Sequence, residues 1–194
     1  MADGERYVLR NARFLASDVL RRALQPGDVA VDATMGTGKD TQFLCELVGE
    51  AGHVYAFDVQ GEAVERTRER LAQAGLLPRA TLLLAGHETM RERVKESPNA
   101  VMFNLGWLPG AAHAVTTKVE TTLQAVAAAC EMIVPGGVVT VCVYPGHEEG
   151  QRELEALLKF ASSLPVRAYN VLGSRFLNAA PNTPQMLLIQ KNGV

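Results

Sequence analysis

The sequence predicts an α/β fold, a doubly wound and mostly parallel seven-stranded sheet that ends in an antiparallel hairpin. Short β-branched apolar runs alternate with amphipathic segments along most of the 194 residues. Parallel strands joined by right-handed helical crossovers require that alternation. The first run, Val29-Ala30-Val31-Asp32, breaks into a loop with glycines at Gly36 and Gly38, then becomes amphipathic again. The last two apolar runs have no helical segment between them, so they are expected to pair as a hairpin.

In order along the chain, an opening helix is expected over 9–24, where Leu9, Ala12, Leu15, Val19, Leu20 and Leu24 form an apolar stripe ended by Pro26-Gly27. Strand one falls at 28–33 and the next helix at 39–49, with Gly49 at its end. Strand two is 53–58. A helix over 61–74 follows, charged on one face and closed by Gly75. Strand three (80–84), a helix over 87–96 and strand four (99–104) come next, followed by an irregular stretch from Leu105 to Thr116. A helix over 117–132 stops before Pro135-Gly136-Gly137, which leads into strand five at 137–144. A helix over 150–162 and strands at 166–173 and 185–191 complete the pattern. No repeat or linker interrupts it, so residues 1–194 read as one domain, with 1–27 as an N-terminal helical extension.

Composition narrows the setting. With 47% apolar and 21% charged residues, the chain can fill a core. No apolar stretch approaches the roughly 20 residues that span a bilayer, and the polar start (Met1-Ala2-Asp3-Gly4-Glu5-Arg6) lacks a signal-peptide core. Cys45, Cys130 and Cys142 are odd in number and widely spaced. They read as buried small hydrophobes, not a disulfide or zinc framework, and the expected compartment is the cytoplasm. Four scattered histidines show no metal-ligand spacing, so no metal is expected. A net charge of −2 argues against non-specific polyanion binding but leaves room for a small structured RNA. Arg6, Arg10 and Arg13 recur at helical spacing and read equally as a solvated face or as an RNA contact.

The glycine loop carries the most chemistry. A second apolar run, Val54-Tyr55-Ala56-Phe57, ends in Asp58, twenty residues beyond Gly38. Strand, glycine turn, helix, strand and acid form a nucleotide-binding βαβ unit, in which the acid accepts hydrogen bonds from ribose hydroxyls. A P-loop is excluded: Ala33 stands where its first glycine belongs, and Asp40 stands where Ser or Thr should follow the lysine. A nicotinamide dinucleotide fits poorly, because Thr41 replaces the third glycine and Asp32 and Asp40 bring negative charge toward a pyrophosphate. A ligand with a cationic, amino-acid-like tail suits the loop better. S-adenosylmethionine (SAM) is such a ligand. Asp58 would take its ribose, and Asp32 and Asp40 would face its methionine end beside the loop Met35, Gly36, Thr37, Gly38, Lys39 and Thr41.

In an open α/β sheet the ligand lies beyond the carboxyl ends of the strands. Gln60 follows strand two and either reaches the ribose or adenine edge or opens the next helix. Gly86-His87 follows strand three, where His87 either meets the base or satisfies local backbone groups. After strand four, Asn104 and Trp107 keep the spacing of the Asn-to-aromatic motif of amino-directed methyltransferases. An Asn carbonyl can accept a hydrogen from a target amine and aim its lone pair, and an aromatic can stack on an exposed base. A strand-end turn and a core aromatic are the structural alternatives. Thr116 or Thr117 can cap the next helix, and Lys118 can meet a phosphate. After strand five, Tyr144 and His147 reach the same rim, His147 as a substrate ligand or general base, with Asp32 as a further proton relay.

Taken together, D-A-T-M-G-x-G-x-D-T at 32–41, V-Y-A-F-D-x-Q at 54–60, F-N-L-G-W-L-P-G at 103–110, T-T-K at 116–118 and Y-P-G-H at 144–147 resemble the MnmM (YtqB-like) family. The resemblance runs from about Gly27 to the C-terminus. It implies the class I SAM-methyltransferase (Rossmann-like) fold and methylation of the 5-aminomethyl group of a (2-thio)uridine at the tRNA wobble position. It also implies an anticodon stem-loop as partner and a homodimer. Thr37 and Lys39 stand where relatives often carry Asn and His, and Trp107 replaces a more usual Tyr, losing its phenol hydroxyl. Methylation of rRNA or of a small amine is the alternative within this chemistry, and an NAD-dependent oxidoreductase the alternative outside it.

Overall fold

The computed structural model describes residues 9–106 and 117–193. Helix α1 (Ala12–Ala23) is followed by β1 (Val29–Asp32), α2 (Lys39–Val48), β2 (His53–Asp58), α3 (Gly61–Gln73) and β3 (Ala80–Leu84). Then come α4 (Met90–Arg93), β4 (Ala100–Asn104), α5 (Val119–Met132), β5 (Val138–Val143), α6 (Glu148–Ser163), β6 (Tyr169–Ser174) and β7 (Gln185–Lys191). The seven strands form one sheet in the order β3-β2-β1-β4-β5-β7-β6. Strands β1 to β5 pair in parallel, while β7 runs antiparallel to both β5 and β6. The expected mixed sheet with its terminal hairpin is therefore observed.

Two local expectations need correction. The helix expected over 87–96 is a 3-10 turn at His87–Thr89 followed by the single turn of α4. Val94 leaves the helix in extended geometry and packs its side chain into the core. The opening helix starts at Ala12 because Asn11 caps it, its side chain accepting from the Phe14 amide at 3.0 Å.

The middle strands are buried on both faces, as crossovers on both sides of a parallel sheet require. One face packs Val31, Phe57, Phe103 and Val141 against α5 and α6 through Ala125, Ala129, Leu154 and Leu157. The other packs Ala30, Val54, Ala100 and Met102 against Leu20 of α1, Leu44 and Val48 of α2, and Leu71 of α3. Strand β1 lies between β2 and β4, so the winding reverses there and a crevice opens above its carboxyl end. Among the described residues, no helix is long and apolar enough to cross a membrane. All three cysteines are buried and free.

Glu153 of α6 is 1% exposed. It accepts hydrogen bonds from the hydroxyls of Thr117 (2.9 Å) and Thr122 (2.7 Å), and burial pushes its carboxyl above the usual value. This bond replaces the helix-capping role expected for Thr117: α5 begins after Lys118 with no side-chain cap, and Thr117 ties the chain to α6 instead. Thr116 lies outside the described residues.

Candidate active site

A cavity of about 830 Å³ opens over the carboxyl ends of β1, β2, β3, β4 and β5, within the size range of cofactor and ligand sites. Its lining includes Met35, Gly36, Thr37, Lys39, Asp40, Asp58, Gln60, Gly86, His87, Asn104, Lys118 and Tyr144. The expected residues after five different strands thus share one space.

The glycine loop is braced from below and behind. Gly36 and Gly38 adopt positive φ of 52° and 76°, a region that side chains with a Cβ rarely enter. A Cβ on Gly38 would stand 2.8 Å from Thr67 Oγ1 and 2.9 Å from Thr67 Cα. Gly38 therefore lets the loop pack on α3 instead of lining the cavity. From the same helix, Arg70 Nε donates to the Thr37 carbonyl at 2.8 Å. Sequence reading missed both braces, since Thr67 and Arg70 look like two polar positions on a charged helix.

Asp58 ends β2 with its carboxylate held by main chain. The Gly36 amide donates to Oδ2 at 3.0 Å and the Gln60 amide to Oδ1 at 2.9 Å. Burial raises its carboxyl above the usual range while these amides pull it back. Each oxygen keeps acceptor capacity for a further donor. His87 is 8% exposed, with Nδ1 3.2 Å from the Ala33 carbonyl and its ring edge-on to Phe103. Burial lowers its imidazole below the ordinary value. The neutral ring therefore donates from Nδ1 and leaves Nε2 as an acceptor.

Asp32 lies elsewhere than expected. It is fully buried beneath the loop, accepting from the Thr41 hydroxyl at 2.7 Å and the Thr34 amide at 3.1 Å. Burial, then the neighbouring Asp40, pushes its carboxyl up to about 7. It does not face the cavity, and neither does Thr41. Their pairing explains both residues: the threonine in the place of a third glycine serves the buried acid, and Asp32 is a structural group, not a proton relay in the cavity.

On the opposite wall, four side chains form a chain of bonds. Arg13 of α1 reaches Asp40 through Nε, at 2.9 Å to Oδ1 and 3.2 Å to Oδ2, and through a terminal guanidinium nitrogen. Asn104 Nδ2 donates to Asp40 Oδ2 at 3.1 Å, and the Tyr144 hydroxyl donates to Asn104 Oδ1 at 2.8 Å. Burial pushes the Tyr144 phenol up to about 12, so it remains a donor at neutral pH. Arg13 was not singled out as a site residue from sequence, because its spacing with Arg10 reads as a solvated helix face. Arg10 is exposed and lies over the Phe14 ring, 4.2 Å from its centroid.

His147 does not line the cavity. It caps α6, its Nδ1 accepting from the Gly150 amide at 3.1 Å. Lys39 and Lys118 are exposed at the rim. Trp107 lies outside the described residues, as does His113. Among the described residues, no cluster of His, Cys, Asp and Glu could hold a metal ion.

Comparison with known proteins extends this picture. The family model described as "Putative rRNA methylase" matches residues 54–190. A chloroplastic protein of Arabidopsis thaliana, tRNA (mnm(5)s(2)U34)-methyltransferase, is 36% identical over 94% of this chain and 70% of its own length. A solved structure from Clostridium thermocellum, described as a "putative rRNA-methylase", superposes with a TM-score of 0.93 at 38% identity, covering 95% of this chain and 100% of that one. A "putative methyltransferase" from Streptococcus mutans in complex with SAH superposes with a TM-score of 0.86 at 37% identity, covering 94% and 99% of the two chains.

Proposed function

The chain belongs to the family described as "Putative rRNA methylase", and from that premise we propose that it methylates the 5-aminomethyl group of a (2-thio)uridine at the tRNA wobble position. It is a SAM-dependent methyltransferase. The observation that carries the proposal is that one cavity joins the Asp58 wall to the Asn104 wall. The first suits a ribose and the second an amine. The name of the Arabidopsis relative, tRNA (mnm(5)s(2)U34)-methyltransferase, supports the choice of amine.

The residues present fit the cofactor. Asp58 offers acceptors to ribose hydroxyls, His87 Nε2 offers one to an adenine amino group, and Lys39 and the loop amides would serve the methionine end, while Asp40 is held by Arg13 and Asn104. Bound SAM would supply an electrophilic methyl on its sulfonium. Transfer of that methyl to the amine would leave S-adenosylhomocysteine as co-product and one amine proton for solvent. An alkylamine with a lysine-like pKa near 10.4 is mostly protonated at pH 7, and restricting reaction to its neutral form costs roughly 4–5 kcal/mol. Asn104 Oδ1, with one lone pair beyond the Tyr144 bond, holds the neutral amine in line with the methyl. Trp107 is the expected stacking partner for the uridine. Lys118 is the expected phosphate contact, while His147 is placed to order the loop after β5.

The same reading makes the tRNA anticodon stem-loop the partner, a homodimer the working form and the cytoplasm its setting. The test is a nucleoside assay with purified protein, SAM and undermodified tRNA. Conversion of 5-aminomethyl-2-thiouridine to its N-methyl form is expected; an unchanged nucleoside profile overturns the substrate assignment. Methylation of rRNA is the second reading, favoured by the family description. Ribosomal subunits in the same assay separate the two.

A further inference from the structure

The Asn104 amide is gripped at both ends. Resting on the reading above, we infer that Arg13, Asp40 and Tyr144 are positioning residues that aim the Asn104 carbonyl at the amine and make the site reject aspartate at 104. Asp40 has only acceptors to offer, and Arg13 of α1 holds it in place through Nε and a terminal guanidinium nitrogen. The atom 3.1 Å from its Oδ2 must therefore be the amide nitrogen of Asn104. That leaves Oδ1 to receive the Tyr144 hydroxyl at 2.8 Å. Rotating the amide by half a turn would set an oxygen against the Asp40 carboxylate, so only one orientation satisfies the set.

The same geometry sets the residue type. A carboxylate at 104 would face Asp40 at hydrogen-bond distance without a proton between them, where the Asp40 side chain is only 8% exposed. Like charges so placed repel strongly. Arg13, its side chain 33% exposed, already has Asp40 as its counter-ion and cannot neutralise a second acid in the same place. An amide at 104 and an acid at 40 are a matched pair, and the first helix of the chain belongs to the acceptor side of the site.

The test compares methyl-transfer rates of Asn104→Asp, the exchange variant Asp40→Asn/Asn104→Asp, and Tyr144→Phe, with undermodified tRNA and saturating SAM. Asn104→Asp should lose about 100-fold or more in kcat, the scale expected of a misplaced reacting group. The exchange variant restores an amide–carboxylate pair and should recover at least about tenfold of that loss. Tyr144→Phe should lower kcat by about tenfold while leaving the Kd for SAM unchanged, and should have no further effect on the residual rate of Asn104→Ala. Near-normal turnover by Asn104→Asp, or an exchange variant no faster than it, overturns the inference. If the exchange variant does not fold, the Tyr144→Phe cycle decides alone: an equal loss with and without Asn104 overturns the inference. A wild-type protein inactive on tRNA but active on a small amine overturns the substrate reading instead, and the same rate comparisons then run on that amine.

Discussion

The two walls of the cavity are built by different means. On the β2–β3 side, polar groups are held by main chain: Asp58 by the amides of Gly36 and Gln60, His87 by the carbonyl of Ala33. On the β4–β5 side they are held by one another, in the sequence Arg13, Asp40, Asn104 and Tyr144. A main-chain cradle follows from the turn and tolerates changes in neighbouring side chains. A side-chain chain fails when any one member is lost, because the survivors are buried polar groups without their partners. The division suits a cofactor shared by many enzymes on one wall and a particular acceptor on the other.

Substitutions can break this contrast. The largest effect is expected for Asn104→Ala, with kcat down about 100-fold and the Kd for SAM little changed. Steady-state kinetics beside calorimetry would show it, and intact turnover removes Asn104 from the chemistry. Asp58→Ala should do the reverse, weakening SAM binding by about 10–100-fold, as losing charge-assisted hydrogen bonds implies, with a smaller effect on saturated turnover. Gly38→Ala should cost about 1–3 kcal/mol of stability, since its Cβ strikes Thr67 and its φ is positive; thermal unfolding measures this. Trp107→Ala should raise the KM for RNA several-fold at constant SAM affinity.

A change of pH sharpens the contrast in another way. The Asp32 carboxyl ionises near 7 when folded, against 3.8 for the ordinary group. A raised folded pKa stabilises below the unfolded value, and that stability is lost as pH climbs through the folded one. The Tm of Asp32→Asn relative to wild type should therefore rise between about pH 4 and 7. A flat difference across that window would mean that Asp32 is ionised throughout.

The main-chain wall was legible because its signals are local. Gly36, Gly38 and Asp58 stand in one βαβ unit, where spacing alone implies geometry, and alternation of apolar runs likewise revealed all seven strands. The other wall was only half legible. Asn104 and Tyr144 were found because they follow strands. Arg13 lies 27 residues from Asp40 on a helix whose arginines look alike, and nothing in its neighbourhood marks the one that turns inward. Asp32 misled for the opposite reason. An acid before a glycine turn resembles a ligand, but the turn folds over it and Thr41 takes its free oxygen. The short α4 was hidden because Val94 turns out of the helix while keeping a buried apolar position, which the apolar pattern of the segment does not register.

The seat of α1 has a consequence for how the molecule comes into being. Ala12 and Ala16 pack against Cys142 of β5 and Met186 of β7, so α1 docks on strands more than a hundred residues further along the chain. Contacts so distant along the chain form late, because a long loop must close before they can. Arg13 can therefore meet Asp40 in its final setting only when nearly all of the sheet is in place. A growing or partly unfolded chain can carry its glycine loop early. Its Arg13–Asp40–Asn104 wall is finished last, so that bond chain becomes a marker of complete folding.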